Sequence, residues 1–212
     1  MPELVIATKN KGKLKEIQTL LKKFNLHITS LADYPDAPAI VEDGKTFTQN
    51  ALKKAVTIAM YTKKLTLGED SGLEVKALQN APGIFSARFA GEMATDKKNN
   101  LKLLTCLRGV PLKKRQARYR CVAALVDQKR IIGVVEGACA GVITTRSKGK
   151  NGFGYDPLFL IPRYGQTFGE LDGALKDQIS HRARALERLK IIIEKYFVTT
   201  QVIPAKAGIH RR

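Results

Sequence analysis

The chain has 212 residues, enough for one substantial core or for two small lobes sharing one. At 44% hydrophobic and 26% charged it is a globular sequence, not a disordered one, and no run approaches the ~18 apolar residues of a membrane span. Its 37 Lys+Arg against 19 Asp+Glu leave a net charge of +18, which calls for an anionic partner, either a nucleic-acid backbone or a compact polyanionic substrate.

The N-terminus runs straight into a strand pattern over residues 3–8, without the basic region, apolar stretch or cleavage site of a signal peptide. Leu14, Ile17, Leu21 and Phe24 recur at helical spacing and predict a helix over 12–24 with a basic outer face. Residues 26–30 read as a second strand and the Pro- and Asp-rich stretch 33–45 as a loop. Thr46-Phe47-Thr48-Gln49 has capping-box spacing and opens a helix to about residue 62, with Ala51, Ala55 and Ala59 on its packed side. A short strand precedes Glu69-Asp70, and residues 72–76 continue it or pair with it. Residues 81–94 are loop-like and 96–107 helical. Residues 117–127 and 130–143, rich in Val, Ile and Ala and separated by Gln128-Lys129, predict a long hairpin. The Gly-rich stretch 147–157 is a loop, 158–161 a short strand, and 180–197 a closing amphipathic helix with Leu186, Leu189 and Ile193 on its core side. Early alternation of strands and helices followed by an antiparallel middle predicts an α/β fold, a mixed sheet with helices packed on it. The expected domain is 1–197; residues 198–212 break the helical pattern and read as a flexible basic tail without catalytic role. Cys106, Cys121 and Cys139 fit no disulfide framework or zinc pattern and read as small core residues, which, with the missing signal, points to the cytoplasm.

Several groups could carry chemistry. Thr8-Lys9-Asn10-Lys11-Gly12-Lys13 lies between a strand and a helix, where free N–H groups, the helix dipole and lysines favour an anion; it lacks the glycine and lysine spacing of a P-loop. Asn50 and Lys54 share one helix face. Glu69-Asp70-Ser71-Gly72 reads as a pair of carboxylates at a strand end, with Gly72 in a tight turn, suited to Mg²⁺ or to accepting a proton from water; Glu42 and Asp43 could add a second ligand. Gly152-Phe153-Gly154-Tyr155-Asp156-Pro157 and Ser180-His181-Arg182 supply close backbone approach, stacking faces and edge-reading groups for a nucleobase, with Ser180 as a helix cap. Each group has a plainer reading as a solvated turn, a surface pair or a structural residue.

In this order and spacing the groups resemble the family of inosine triphosphate pyrophosphatases, over roughly residues 3–196. Pro82-Gly83-Ile84-Phe85-Ser86-Ala87-Arg88 belongs to the same pattern; Gly169 stands where alanine is expected, and the tail has no counterpart. The resemblance implies an elongated fold with a long central mixed sheet, two lobes around an active-site cleft, and a homodimer. It implies Mg²⁺-dependent hydrolysis of ITP, dITP and XTP between the α- and β-phosphates. Thr8, Asn10, Lys13, Lys54 and Lys176 would then hold the triphosphate, and the rest of the 8–13 turn, Lys9, Lys11 and Gly12, lies on the substrate. Asp70 would bind metal and accept the proton, with Glu42 as second carboxylate and Ser71 on the substrate. Phe153, with Gly154 and Tyr155 beside it, would stack on the base, while Asp156, His181 and Arg182 read its edge. Donors at His181 and Arg182 suit a purine carbonyl at position 6 and face adenine's amine donor-to-donor. Whether Asp70 acts directly or through a metal-bound hydroxide stays open. A pyrophosphatase of modified pyrimidine triphosphates and a nucleic-acid-binding module are the alternatives; the base-reading groups disfavour the first, and only the +18 charge and the basic tail support the second.

Overall fold

The computed structural model describes residues 2–201, with side chains through residue 198. Strand β1 (Glu3–Ile6) leads into α1 (Lys11–Leu21), β2 (His27–Ser30), α2 (Phe47–Thr62) and β3 (Leu65–Val75). After α3 (Asp96–Cys106) come the hairpin β4 (Gln116–Val126) and β5 (Ile131–Ile143), then β6 (Phe159–Ile161), β7 (Gln166–Thr167), α4 (Gly173–Ile179) and α5 (His181–Gln201). The strands form one sheet in the order β2-β1-β3-β4-β5-β6-β7. β1 pairs in parallel with β2 and β3, and every later pairing is antiparallel. The expected mixed α/β architecture is the one observed.

β3 explains where the site falls. On one face its residues run Leu65, Leu67, Glu69, Ser71, Leu73, Val75, so a polar step separates two apolar pairs. Leu65 and Leu67 join the core beneath α1 and α5, built with Leu4, Ile17 and Leu186. Leu73 and Val75 join a second core with Leu103, Tyr119, Phe159 and Phe168. The cleft lies along the polar step between the two. On the other face α2 packs through Ala51, Ala55 and Ala59, all fully buried. A Cβ at Gly68 would lie 2.2 Å from the Ala51 carbonyl oxygen, so this approach of helix to strand needs glycine.

Four expectations change. Glu69-Asp70-Ser71-Gly72 is not a strand end: it sits mid-strand, with Asp70 paired to Val122 and Gly72 to Arg120. Gly72 is required by crowding instead of by a turn, since a Cβ there would meet the Gly83 oxygen at 2.3 Å. α4 is an additional helix, carrying Lys176. Cys106 is exposed, whereas Cys121 and Cys139 are buried as expected. α5 continues to Gln201; the remainder of the expected tail, 202–212, lies outside the described residues. Among the described residues no helix is long and apolar enough to cross a membrane.

Candidate active site

β1 stops at Ile6 while β3 runs on, and a cavity of about 370 Å³ opens beyond the end of β1. This is the usual place for a ligand in a sheet with parallel strands. Thr8, Lys9, Asn10 and Lys13 line one side of it, and Glu42, Lys54, Asp70 and Ser71 another. Asn10 caps α1 by accepting from the Lys13 N–H at 3.0 Å, and its own N–H donates to Thr8 Oγ1 at 3.1 Å. These bonds fix the turn that presents the lysines and the N-terminus of α1. Lys11 is exposed and lines neither this cavity nor the one described next.

Across the cavity, α2 holds Asp70 from two sides. Asn50 Nδ2 donates to one carboxylate oxygen at 3.1 Å and Lys54 Nζ to the other at 2.9 Å. Lys54 Nζ also lies 3.3 Å from Glu42, so one ammonium serves two carboxylates. Burial pushes the Asp70 carboxyl above its ordinary value, against the pull of Lys54 and Lys13. Lys54 is raised because Asp70, Glu42 and Glu69 together outweigh its own burial.

A second, narrower cavity of about 100 Å³ adjoins the first and shares Asn10, Lys13, Ser71 and Ala87 with it. Phe153, Gly154, Tyr155 and Asp156 line it, with Lys176, His181 and Arg182. The Phe153 ring rests on Gly12, where a Cβ would approach within 2.7 Å. His181 stacks on Tyr119 with ring centroids 4.6 Å apart, and burial holds its imidazole well below the ordinary value, hence neutral. His181 Nδ1 and Arg182 Nε are buried without a hydrogen-bond partner in the protein. Ser180 caps α5 as expected, accepting from the Ala183 N–H at 3.1 Å, and so sets His181 and Arg182 on its first turn.

A chain of ion pairs joins the two cavities. Lys13 reaches Glu69 at 2.9 Å and Glu69 reaches Arg182 at 3.1 Å. Arg182 also binds Glu16 and donates to Ser71 Oγ at 3.1 Å. Glu16 lies 2.6 Å from Lys176, which lies 2.6 Å from Asp156. Three cations meet three carboxylates here, so the chain is neutral. Lys176 thus sits in the narrower cavity beside Phe153, not among the residues that line the larger one. The Asp70–Lys54–Glu42 group beside this chain has two carboxylates for one cation. Its excess negative charge and hard oxygen donors suit a magnesium ion completed by substrate phosphates. Among the described residues no cluster of three or more His, Cys, Asp or Glu forms a self-sufficient metal site.

Reading the sequence missed Glu16, the pivotal carboxylate of the chain, and Tyr119, the platform for His181. Glu16 stands one turn after Lys13 on α1, and that spacing was the available signal. Glu69 and Asp70, expected as a carboxylate pair, point to opposite faces of β3, and Glu69 is engaged by Lys13 and Arg182. Burial opposes its charge, but Lys13, Arg182 and Lys54 outweigh burial and hold its carboxyl well below the ordinary value. A depressed folded pKa stabilises the fold above the unfolded value and is lost as pH falls through the folded one. Glu69→Gln is therefore expected to cost on the order of 3 kcal/mol near neutral pH. The gap to wild type should shrink below the ordinary carboxylate range, as urea titrations at several pH values would show; a gap independent of pH would contradict this.

A model of the Ham1 family matches residues 4–192. The chain belongs to the Ham1 family. A dITP/XTP pyrophosphatase of Desulforamulus reducens is 49% identical over 94% of this chain and 100% of its own. One from Shouchella clausii is 53% identical over 92% of this chain and 98% of its own. Among solved structures, a HAM1 protein of Coxiella burnetii superposes with a TM-score of 0.83 at 39% identity, covering 92% of this chain and all of that one. The Ham1 match takes in both cavities, from Thr8 to Arg182.

Proposed function

We propose that this Ham1 chain hydrolyses non-standard purine nucleoside triphosphates, ITP, dITP and XTP, to the monophosphate and pyrophosphate, removing them from the nucleotide pool. The observation that carries this reading is the pair of adjoining cavities. One is aromatic and bears unpartnered nitrogens of His181 and Arg182; the other is lined by lysines and two carboxylates.

In this reading the 8–13 turn and Lys54 bind the triphosphate, drawing on the dipole of α1 and on converging positive charge. Asp70 and Glu42 would hold magnesium, which supplies charge neutralisation on the phosphates when bound. Lys54 turns from the two carboxylates to a phosphate oxygen as substrate arrives. Asp70, freed of its ammonium partner, accepts the proton of the attacking water. Phe153 stacks on the base, and neutral His181 with Arg182 Nε donates to the carbonyl at position 6, which adenine lacks. A homodimer in the cytoplasm rests on the family resemblance, and light scattering would test the dimer.

The test is product identity. Phosphorus NMR of dITP incubated with enzyme and Mg²⁺ should show dIMP and pyrophosphate growing together, and EDTA should stop both. Orthophosphate with dIDP would place the cleavage at the wrong bond.

A further inference from the structure

The slot beside Phe153 is small, about 100 Å³, so its shape depends closely on where that ring is held. The loop carrying the ring has little stiffness of its own. Gly152 and Gly154 flank Phe153 with φ of 75° and 62°, and glycine gives such positions freely. Asp156 ties the loop to itself at Phe153, and groups outside the loop fix the rest.

Three successive N–H groups are each taken by a side chain. Phe153 N–H donates to Asp156 at 2.9 Å and Tyr155 N–H to Tyr119 Oη at 3.1 Å. Between them, Gly154 N–H donates to Asp96 Oδ2 at 2.7 Å, and Asn100 Nδ2 donates to the Gly154 carbonyl at 2.9 Å. Asp96 and Asn100 stand one turn apart on α3, so one helix grips both polar groups of one residue. The helix is a firm anchor. Leu103 is fully buried in the core that also holds Tyr155, and Asn99 is tied to the Ala87 carbonyl at 3.0 Å and the Ala90 N–H at 2.8 Å.

We propose that Asp96 and Asn100 are positioning residues that clamp Gly154 and thereby hold the Phe153 ring where a purine base can stack on it. This rests on the purine-triphosphate reading, and it adds α3 to the parts that set base affinity. Phosphate binding draws on the 8–13 turn and Lys54, which make no hydrogen bond to Asp96 or Asn100, although the ring itself rests on Gly12 of that turn.

The test compares two ligands, inosine monophosphate and inorganic tripolyphosphate, together with hydrogen exchange at the 153–155 amides. Asp96→Ala and Asn100→Ala should each speed exchange there and weaken inosine monophosphate about tenfold, the scale of a lost base stack. Tripolyphosphate affinity should not change, and KM for dITP should rise more than kcat falls. Asp96→Asn should recover most of the loss, because its carbonyl can accept the same N–H; Asn100→Asp should not, because it has no donor for the Gly154 carbonyl. Equal losses for both ligands, or faster exchange with unchanged inosine monophosphate affinity, would overturn the clamp's role. Unchanged exchange in both alanine variants would also overturn it. Wild-type protein that binds no inosine monophosphate would refute the purine reading, while the exchange measurement still decides whether α3 holds the loop.

Discussion

Asp70→Asn is expected to lower kcat about 10³-fold, within the usual range for a positioned base, and to cost far less stability than Glu69→Gln does. The two halves of this result have one origin. Burial raises the Asp70 carboxyl above its ordinary value, so the fold disfavours the charged form that catalysis needs. A group whose folded pKa is raised costs stability once pH exceeds the unfolded value, and a neutral amide removes that cost. The amide offers one acceptor oxygen where the carboxylate offers two, so Lys54 keeps that oxygen and Glu42 while Asn50 Nδ2 loses its acceptor, at about 1 kcal/mol. Adjacent carboxylates therefore differ in kind: Glu69→Gln chiefly loses stability, and Asp70→Asn chiefly loses activity. Thermal melts beside single-turnover rates check the pair, and an Asp70→Asn enzyme with near-normal kcat removes Asp70 from the chemistry.

Arg182→Lys is expected to fold yet to lose discrimination between dITP and dATP. Arg182 is 1% exposed and binds both Glu16 and Glu69. Its replacement by alanine leaves buried Glu69 with Lys13 alone and half-buried Glu16 with Lys176 alone, at a cost of about 3 kcal/mol that would mask any role in recognition. Lysine keeps a cation for those carboxylates and removes the unpartnered Nε of a residue that lines the narrower cavity. The kcat/KM for dITP should fall about 10²-fold and that for dATP much less, because only the first base offers the carbonyl that Nε would bind. Equal losses on the two substrates would make Arg182 a structural cation.

What could be read from the sequence was what is local along it. The Thr8–Lys13 turn, the Asn50/Lys54 helix face and the Ser180 cap lie within a few residues of their partners, and all appear in place. What could not be read depends on distant partners. Glu16 and Lys176 are 160 positions apart, and Arg182 reaches Glu69 across 113. Glu69-Asp70-Ser71-Gly72 looked like a turn because four polar or small residues seldom continue a buried strand. They continue it here because Lys13 and Arg182 neutralise Glu69 on one face, Asn50 and Lys54 hold Asp70 on the other, and β4 completes the ladder. α4 escaped because its seven residues are too short to show a helical period, and only Leu175 and Ile179 pack inward.

The central claim is that one cavity reads a purine carbonyl and its neighbour presents the triphosphate to Asp70. Initial rates of pyrophosphate release with Mg²⁺, measured side by side for dITP, XTP, dGTP and dATP with an EDTA control, test it most directly. Metal-dependent turnover of dITP and XTP far above that of dATP is the predicted result; dGTP carries the same carbonyl, so this contact does not reject it. Equal turnover of all four would contradict the reading of the base cavity, and no turnover of any would contradict the assignment of the site as a whole.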